Sequence, residues 1–310
     1  MTPRPVFILR LPGGAGLSLG PRTLVMGVLN VTPDSFADGG RHFDPQRAVD
    51  AALEMEAAGA DILDVGGEST RPGAEPLPAA EELARILPVL SALAGRLRIP
   101  LSVDTYKAVV ADAALDAGAV IVNDISALEY DPGLAAVAAR RAAVVVLMHN
   151  RGRSREMYRE AEYGDVAADV MRELERRMAA ARAAGIPSDR IVLDPGIGFA
   201  KRAEHSMSLL ARLPALHALG RPLLVGPSRK SFLQRAIGTR DPARREWATA
   251  AAVTAAVLAG AHIVRVHAVA EMVDVVRVAD RLRMDAGLDR DPSSAGSASG
   301  TEWTTRHGSA

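Results

Sequence analysis

The stretch that decides the fold is TLVMGVLNVTPDSFADGG, which runs from Thr23 to Gly40. Its first half, Leu24 to Leu29, is an apolar run with the length of a buried strand. Its second half turns polar abruptly and ends in a pair of glycines. A strand that carries polar residues only beyond its carboxyl end is typical of an α/β barrel, which places its functional groups at that face.

The rest of the chain repeats this arrangement of strand, polar strand end and helix. After the first strand, strands are predicted at 61–65, 101–103, 120–122, 143–148, 190–193, 222–225 and 262–266. Helices are predicted at 45–58, 79–93, 107–117, 133–141, 163–184, 203–211, 245–258 and 269–283. Eight strand–helix units favour a closed (β/α)8 TIM barrel, with a parallel sheet, over an open doubly wound sheet.

The two ends of the chain differ from the barrel pattern. Residues 1–22 contain two short apolar runs around Pro12-Gly13-Gly14, which predicts a hairpin flap that could plug the bottom of the barrel. Residues 23–284 form the predicted barrel. Residues 285–310 are rich in Ser, Gly, Ala and Asp, which predicts a disordered tail.

The amino-acid composition argues against several kinds of partner and functional site. The 310 residues carry a formal net charge of zero, which argues against nucleic acid or an acidic membrane surface as a partner. The chain has no cysteine, which excludes disulfides, thiolate metal sites and a cysteine nucleophile. No uncharged apolar run approaches the ~18 residues of a membrane-spanning helix. We therefore expect a soluble, cytoplasmic enzyme.

Polar residues at the predicted strand ends are the candidate site. Each alone could be a turn or a helix cap, but their equivalent positions in successive repeats favour a shared site. Two carboxylates and an asparagine can bind the donor and acceptor edge of a flat heterocycle. The end of the last strand is where barrels bind phosphate, although Arg265 could instead pair with a carboxylate such as Asp64. The residues are Asn30, Asp104, Asn123, Asp194, Lys230, Arg265 and His267.

Seven segments, in chain order, resemble the motifs of the dihydropteroate synthase family. They are GVLNVTPDSFADGG, DVGGESTRPGA, SVDTYK, VNDIS, DPGIGFAK, VGPSRKSFL and IVRVH, and the resemblance covers roughly residues 23–283. This family joins 6-hydroxymethyl-7,8-dihydropterin pyrophosphate to p-aminobenzoate and releases pyrophosphate, in folate synthesis. The resemblance implies a Mg²⁺-dependent transferase, a target of sulfonamides and a homodimer formed through barrel helices.

The resemblance also implies roles for individual residues. The pterin-binding residues would be Asp104, Asn123, Met148, Asp194, Phe199 and Lys230. Pyrophosphate would be bound by Thr70, Arg265 and His267, and Mg²⁺ by Asn30. The p-aminobenzoate pocket would be formed by Phe36, Thr70, Arg71, Pro72 and Ser231. The catalytic set would be Asp38, Arg71, Lys230, Arg265 and His267. The chain departs from the family pattern at Ala200, where glycine is usual, and at Ala268, where aspartate is common.

Two other functions are compatible with a pterin-binding barrel. A methyltransferase domain that takes a methyl group from methyltetrahydrofolate to a corrinoid would share the pterin slot, but it would not need residues 69–72 or the Arg265 and His267 pair. A non-catalytic paralogue should have lost charged residues at the strand ends, and these are present. His42, His205 and His217 lack the helical spacing of a zinc site and are interpreted as surface or packing residues.

Overall fold

The computed structural model describes residues 3–32, 44–69, 73–153 and 161–289. Its first element is an antiparallel hairpin of β1 (Phe7–Arg10) and β2 (Gly16–Leu19), as the sequence predicts. The strands are joined by a short 3-10 turn, Pro12–Gly14, in which Gly13 has a φ of +79°. Glycine adopts this left-handed backbone without the steric cost that other residues incur.

The described residues then form an eight-stranded parallel sheet. The strands are β3 (Leu24–Asn30), β4 (Ile62–Gly66), β5 (Leu101–Asp104), β6 (Ile121–Asp124), β7 (Val144–Met148), β8 (Ile191–Asp194), β9 (Leu224–Val225) and β10 (Ile263–Val266). Their order in the sheet is β8-β7-β6-β5-β4-β3-β10-β9, and a parallel bridge between Leu193 and Leu223 joins the two edges. The predicted TIM barrel is thereby confirmed, with strand ends that differ from the prediction by one or two residues.

Helices connect the strands and cover the outside of the sheet. Two of them begin at an aspartate whose side chain accepts hydrogen bonds from backbone N–H groups of the first turn: Asp44 from Gln46, and Asp165 from Ala167 and Ala168. In chain order, the helices are α1 (Pro45–Ala57), α2 (Ala79–Leu93), α3 (Ala108–Asp116), α4 (Leu134–Arg140), α5 (Val166–Ala183), α6 (Ala203–Ala211), α7 (Gln234–Ile237), α8 (Glu246–Leu258) and α9 (Val269–Asp285).

Buried apolar residues form two clusters separated by the sheet. The larger cluster fills the space between the strands and the helices. The smaller one lies inside the barrel near the amino ends of the strands, and it includes Leu9, Leu11 and Leu19 of the hairpin beside Met26 and Ile263. The hairpin therefore closes the bottom of the barrel, and the opposite face is left for polar side chains.

An ion-pair network joins the two ends of the described chain. Asp289, which follows α9, accepts hydrogen bonds from Arg283 and from Arg4, an N-terminal residue whose side chain is fully buried. Asp289 belongs to the predicted tail, residues 285–310, whose extent stays a prediction. The remainder of the predicted tail lies outside the described residues.

Within the described ranges, no helix combines the length and apolar character needed to cross a bilayer.

Candidate functional site

The alternation of side chains along the strands places polar residues near their carboxyl ends inside the barrel. Side chains two residues apart on a strand point to the same face. Ile62, Ile121, Val192 and Ile263 belong to the apolar cluster inside the barrel. The residues two positions later therefore also face the interior, at its open end, and they are Asp64, Asn123, Asp194 and Arg265.

Strand register places several predicted residues side by side. Asn30 lies opposite Gly66, Gly66 opposite Asp104, and Asp104 opposite Asn123. On the other side of the barrel, Met148 lies opposite Asp194. Gly66 keeps this row compact, because a Cβ there would lie 3.3 Å from the Cβ of Asp104. Residues from separate repeats thus meet at one face of the barrel.

Asp64 is the centre of a hydrogen-bonded group on this face. Its Oδ2 accepts from Arg265 Nε at 2.6 Å and from Asn123 Nδ2 at 2.8 Å. Arg265 also donates from Nη2 to Asp104 Oδ2, at 2.7 Å. The pairing of Arg265 with Asp64, which the sequence left as an alternative to phosphate binding, is therefore present. It leaves a fifth of the Arg265 side chain exposed at the mouth of the barrel.

Asp194 and Lys230 form the other side of the site. Asp194 is buried, and its Oδ1 accepts from the Gly196 amide at 2.7 Å. Lys230 donates from Nζ to the Ile197 carbonyl at 2.6 Å, and this nitrogen lies 3.9 Å from the centre of the Phe199 ring. The end of β8 and the loop after it therefore contribute a carboxylate, a carbonyl and an aromatic face to this side of the site.

Two glycines in that loop are required by close packing. A Cβ on Gly196 would lie 1.9 Å from the carbonyl oxygen of His149, and a Cβ on Gly198 would lie 2.7 Å from Lys230 Cδ. Ala200, one of the departures from the family pattern, has a φ of +45°. Glycine, the usual residue of the family at this position, would adopt this left-handed backbone conformation with less strain than alanine.

Burial changes the proton affinities of the charged groups. It raises the pKa of Asp104 to about 7, and the Arg265 cation opposes the shift. It lowers the pKa of Lys230 to about 7, and Asp194 opposes that shift. Burial also raises the pKa of Asp194, with Lys230 opposing. Groups that titrate near neutrality in a cleft are typical of functional sites.

Two further predicted residues that the structure describes, His267 and Ser231, follow β10 and β9. His267 Nδ1 is 2.9 Å from the hydroxyl of Ser228, in the loop after β9. Ser231 is exposed at the start of a 3-10 helix, Ser231–Leu233, and does not belong to the hydrogen-bonded group in the described part of the chain. His205 and His217 pack against aromatic rings, as interpreted from sequence. Outside the described residues lie His42 and the predicted site residues Phe36, Asp38, Thr70, Arg71 and Pro72.

The sequence assigned no substrate-binding role to three buried polar residues beside the site, and it named only the first of them, as a possible partner of Arg265. These are Asp64, His149 and Lys201, of which His149 and Lys201 lie 2.8 Å apart between Nδ1 and Nζ. A signal existed for Asp64, because a charged residue in the middle of the apolar segment DILDVGG must be paired when buried. Lys201 stands at the end of the quoted DPGIGFAK motif, where a fully buried ammonium could not be anticipated.

The arrangement suits a flat, polar heterocycle rather than a preformed metal centre. Carboxylates, an amide and an amine surround the slot, so they can satisfy both donors and acceptors of a ring edge. Among the described residues, no group of three or more His, Cys, Asp or Glu side chains could hold a metal ion. Asn30, half-buried at the end of β3, offers one amide oxygen of the kind that Mg²⁺ accepts.

Comparisons with known sequences agree with this chemistry. A family model described as "Pterin binding enzyme" matches residues 26–267. A dihydropteroate synthase of Synechocystis sp. is 48% identical over 273 residues, which cover 88% of this chain and 94% of that protein. The dihydropteroate synthase of Escherichia coli K12 is 46% identical over 256 residues, which cover 83% of this chain and 90% of that protein.

Comparisons with solved structures point the same way. A dihydropteroate synthase of Xanthomonas albilineans with 4-aminobenzoic acid has a TM-score of 0.83 at 43% identity, covering 90% of this chain and 99% of that one. A Burkholderia cenocepacia dihydropteroate synthase complexed with 7,8-dihydropteroate has a TM-score of 0.81 at 41% identity, covering 91% and 98% respectively. A Yersinia pestis dihydropteroate synthase with a sulfonamide drug has a TM-score of 0.83 at 42% identity, covering 90% and 100%.

Proposed function

Because the chain belongs to the pterin-binding enzymes of the dihydropteroate synthase family, we propose that it joins 6-hydroxymethyl-7,8-dihydropterin pyrophosphate to p-aminobenzoate. The products are 7,8-dihydropteroate and pyrophosphate. The observation that carries this assignment is the convergence of a carboxylate, an amide and a lysine on one slot. The slot lies beside an arginine that remains partly exposed at the barrel mouth.

The pterin is assigned to the slot between the loops after β5, β6, β8 and β9. Asp194 would accept from the amino group and the adjacent ring N–H, and Asp104 and Asn123 would bind other polar atoms of the ring. Lys230 would donate to a ring carbonyl or nitrogen. Phe199 and Met148 would line the flat faces, since both lie beside these polar groups.

The pyrophosphate is assigned to Arg265 and His267, with Thr70 as a further ligand by resemblance. Both residues lie at the end of β10, and Arg265 carries a guanidinium fork that matches phosphate oxygens. Asn30 would hold Mg²⁺, and the absence of an acidic cluster in the described ranges fits an ion bound mainly through substrate phosphates. Bound Mg²⁺ would supply neutralisation of charge on the leaving group.

The reacting carbon is a CH₂ group next to an electron-rich ring. Breaking its C–O bond first releases pyrophosphate and gives a cation delocalised into the pterin. The aniline nitrogen then attacks that carbon and loses one proton, which water or the released pyrophosphate can accept. Arg265 and His267 would stabilise the negative charge on the departing pyrophosphate. The attacking amine is neutral at pH 7, so it needs to be positioned rather than deprotonated beforehand. On the basis of the resemblance, the residues proposed to surround p-aminobenzoate are Phe36, Thr70, Arg71, Pro72 and Ser231. Asp38 is proposed to help stabilise the reacting centre.

The direct test is to mix the purified protein with Mg²⁺, the pterin pyrophosphate and p-aminobenzoate. We expect dihydropteroate and pyrophosphate to appear in equal amounts, and the rate to fall when EDTA removes Mg²⁺. Omitting p-aminobenzoate is the control for simple hydrolysis. Methyl transfer from methyltetrahydrofolate to a corrinoid, without dihydropteroate formation, would replace this assignment by the methyltransferase alternative.

We also propose that the protein is a homodimer in which α8 and α9 meet the same helices of the second copy. The exposed face of α8 carries Trp247, Ala251 and Ala255 at intervals of four, and Trp247 is 90% exposed. On the adjoining α9, Val278 and Leu282 are 63% and 53% exposed. An apolar stripe of this kind is typical of a buried helix face.

Replacing Trp247 with glutamate should convert the dimer into monomer, because a charge would have to be desolvated at the centre of the interface. Analytical ultracentrifugation of the wild type and the variant measures this directly. Val109→Glu is the matched control, since Val109 is 56% exposed on α3, a different helix. A wild type that sediments as a monomer, or a dimer unaffected by the change, would contradict the proposed interface.

A further inference from the structure

Lys201 is a fully buried amine outside the set of residues assigned to the substrates. Only 2% of the residue is exposed, and its Nζ is surrounded by acceptors. It lies 2.8 Å from His149 Nδ1, 3.1 Å from the Gly196 carbonyl oxygen and 3.0 Å from the Phe199 carbonyl oxygen. A fourth acceptor, the carbonyl oxygen of His149, lies at 3.4 Å.

The four acceptors around Nζ indicate whether the Lys201 side chain is a neutral amine or a charged ammonium. A neutral amine has two protons and a lone pair, and that lone pair would face one of the acceptors. An ammonium ion has three protons and no lone pair, so it matches the surroundings. Burial lowers the pKa of Lys201, and the Asp194 carboxylate opposes this shift. The geometry favours the charged form, held by backbone oxygens and an imidazole.

The partners belong to two loops that are already in close contact. His149 follows β7, and its backbone N–H donates to the Asp194 carbonyl at the end of β8, at 2.8 Å. The absence of a side chain at Gly196 allows the loop after β8 to approach the His149 carbonyl. Lys201 binds carbonyl oxygens from both loops at this point, so it joins them to each other.

The His149 imidazole also links Lys201 to α5, through Glu173. His149 Nε2 lies 3.0 Å from Glu173 Oε2, and Glu173 also pairs with Arg151. With Nδ1 accepting from Lys201, the Nε2 nitrogen carries the proton and donates to Glu173. Burial lowers the pKa of His149 to about 4, so the ring is neutral at neutral pH and keeps this arrangement.

The loop that Lys201 fixes carries three elements of the pterin slot. Gly196 donates to the Asp194 carboxylate, Ile197 accepts from Lys230, and the Phe199 ring lies against the Lys230 ammonium. Lys201 bonds the carbonyl groups of two of these residues, Gly196 and Phe199. A shift of this loop would move the carboxylate, the lysine and the ring together.

We propose that Lys201 is a positioning residue for the pterin slot, which acts by fixing the loop after β8 against His149 without touching the substrate. This inference rests on the proposed function, because it assigns the pterin to that slot. A group that only supported folding would change stability and leave substrate affinity alone. A positioning residue changes the affinity for one substrate and spares the other.

The test compares Lys201→Met, which has similar length and no donors, with Lys201→Gln, which can donate to two of the carbonyl groups. For Lys201→Met we expect the Kd of a pterin fragment and the KM for the pterin pyrophosphate to rise about ten- to a hundredfold, since small misplacements cost that much. The KM for p-aminobenzoate should stay close to the wild-type value. Lys201→Gln should give intermediate values, and it carries the test if Lys201→Met does not fold.

Arg283→Met is the matched control, because Arg283 is equally buried but lies at the chain ends, bonded to Asp289 and the Leu258 carbonyl. It should lower the melting temperature and leave both KM values unchanged. If both Lys201 variants also leave the pterin KM and Kd unchanged, the inference is wrong. Failure of the wild type to bind a pterin or to form product would instead overturn the proposed function, so the two failures are distinguishable.

Discussion

Replacing Arg265 with alanine should reduce turnover by about 10²–10³-fold, because the guanidinium would no longer stabilise charge on the departing pyrophosphate. The structure adds a second effect. Arg265 pairs with Asp64 and Asp104, so its removal leaves two neighbouring carboxylates without their cation. Removing one partner of a buried ion pair typically costs about 3–5 kcal/mol of stability.

The loss of Arg265 should also weaken pterin binding. Arg265 opposes the upward shift in the pKa of Asp104, so without it that pKa should rise further above about 7. Asp104 would then be protonated at neutral pH and would no longer accept as a carboxylate. The pterin affinity of Arg265→Ala should therefore fall at pH 7 and recover as the pH rises.

Steady-state turnover and calorimetric titration of a pterin fragment, both measured from pH 6 to pH 9, check this pair of effects. Arg265→Lys is the matched variant, because it keeps the cation near Asp104 and loses the fork aimed at phosphate. It should lose turnover but retain the wild-type pH dependence of pterin binding. Unchanged turnover in Arg265→Ala would mean that Arg265 serves only to hold Asp64 and Asp104.

Replacing Asp194 with asparagine should weaken pterin binding by about 1.5–3 kcal/mol, the usual cost of losing a charge-assisted hydrogen bond. The structure shows why the amide cannot substitute. Oδ1 of Asp194 already accepts from the Gly196 amide at 2.7 Å, so the asparagine oxygen should take that place. The NH₂ group would then point into the slot, towards the pterin N–H donors.

Calorimetric titration with a pterin fragment measures the loss, and thermal unfolding shows whether the fold is kept. The melting temperature should change little, because the asparagine oxygen can still accept the one hydrogen bond that Asp194 receives from the Gly196 amide. Asp124→Asn is the matched control. Asp124 is also buried at a strand end, but its carboxylate accepts from Ser126 and Leu128 rather than facing the slot. It should lose stability and keep pterin affinity; equal pterin affinity in wild type and Asp194→Asn would remove Asp194 from the slot.

The sequence predicts local features of this protein well. Helix Ala79–Leu93 and helix Ala203–Ala211 have the predicted bounds, and the hairpin turn at Pro12–Gly14 is where its Pro and Gly residues place it. These features depend on neighbouring residues, through turn chemistry and the spacing of apolar side chains. The contact between Arg4 and Asp289 is not a local feature, since the two residues lie 285 positions apart in the chain.

By itself, then, the sequence determined the eight-stranded barrel and the set of polar residues at its open face. Each strand has a period of two and a polar end, and both properties can be read along a short segment. Only the tertiary structure decided how those residues are paired. Arg265 meets Asp64 from 201 positions away, and Lys201 meets His149 from 52 positions away. A buried charge takes whichever partners barrel closure brings within hydrogen-bonding distance, and no local pattern encodes that choice.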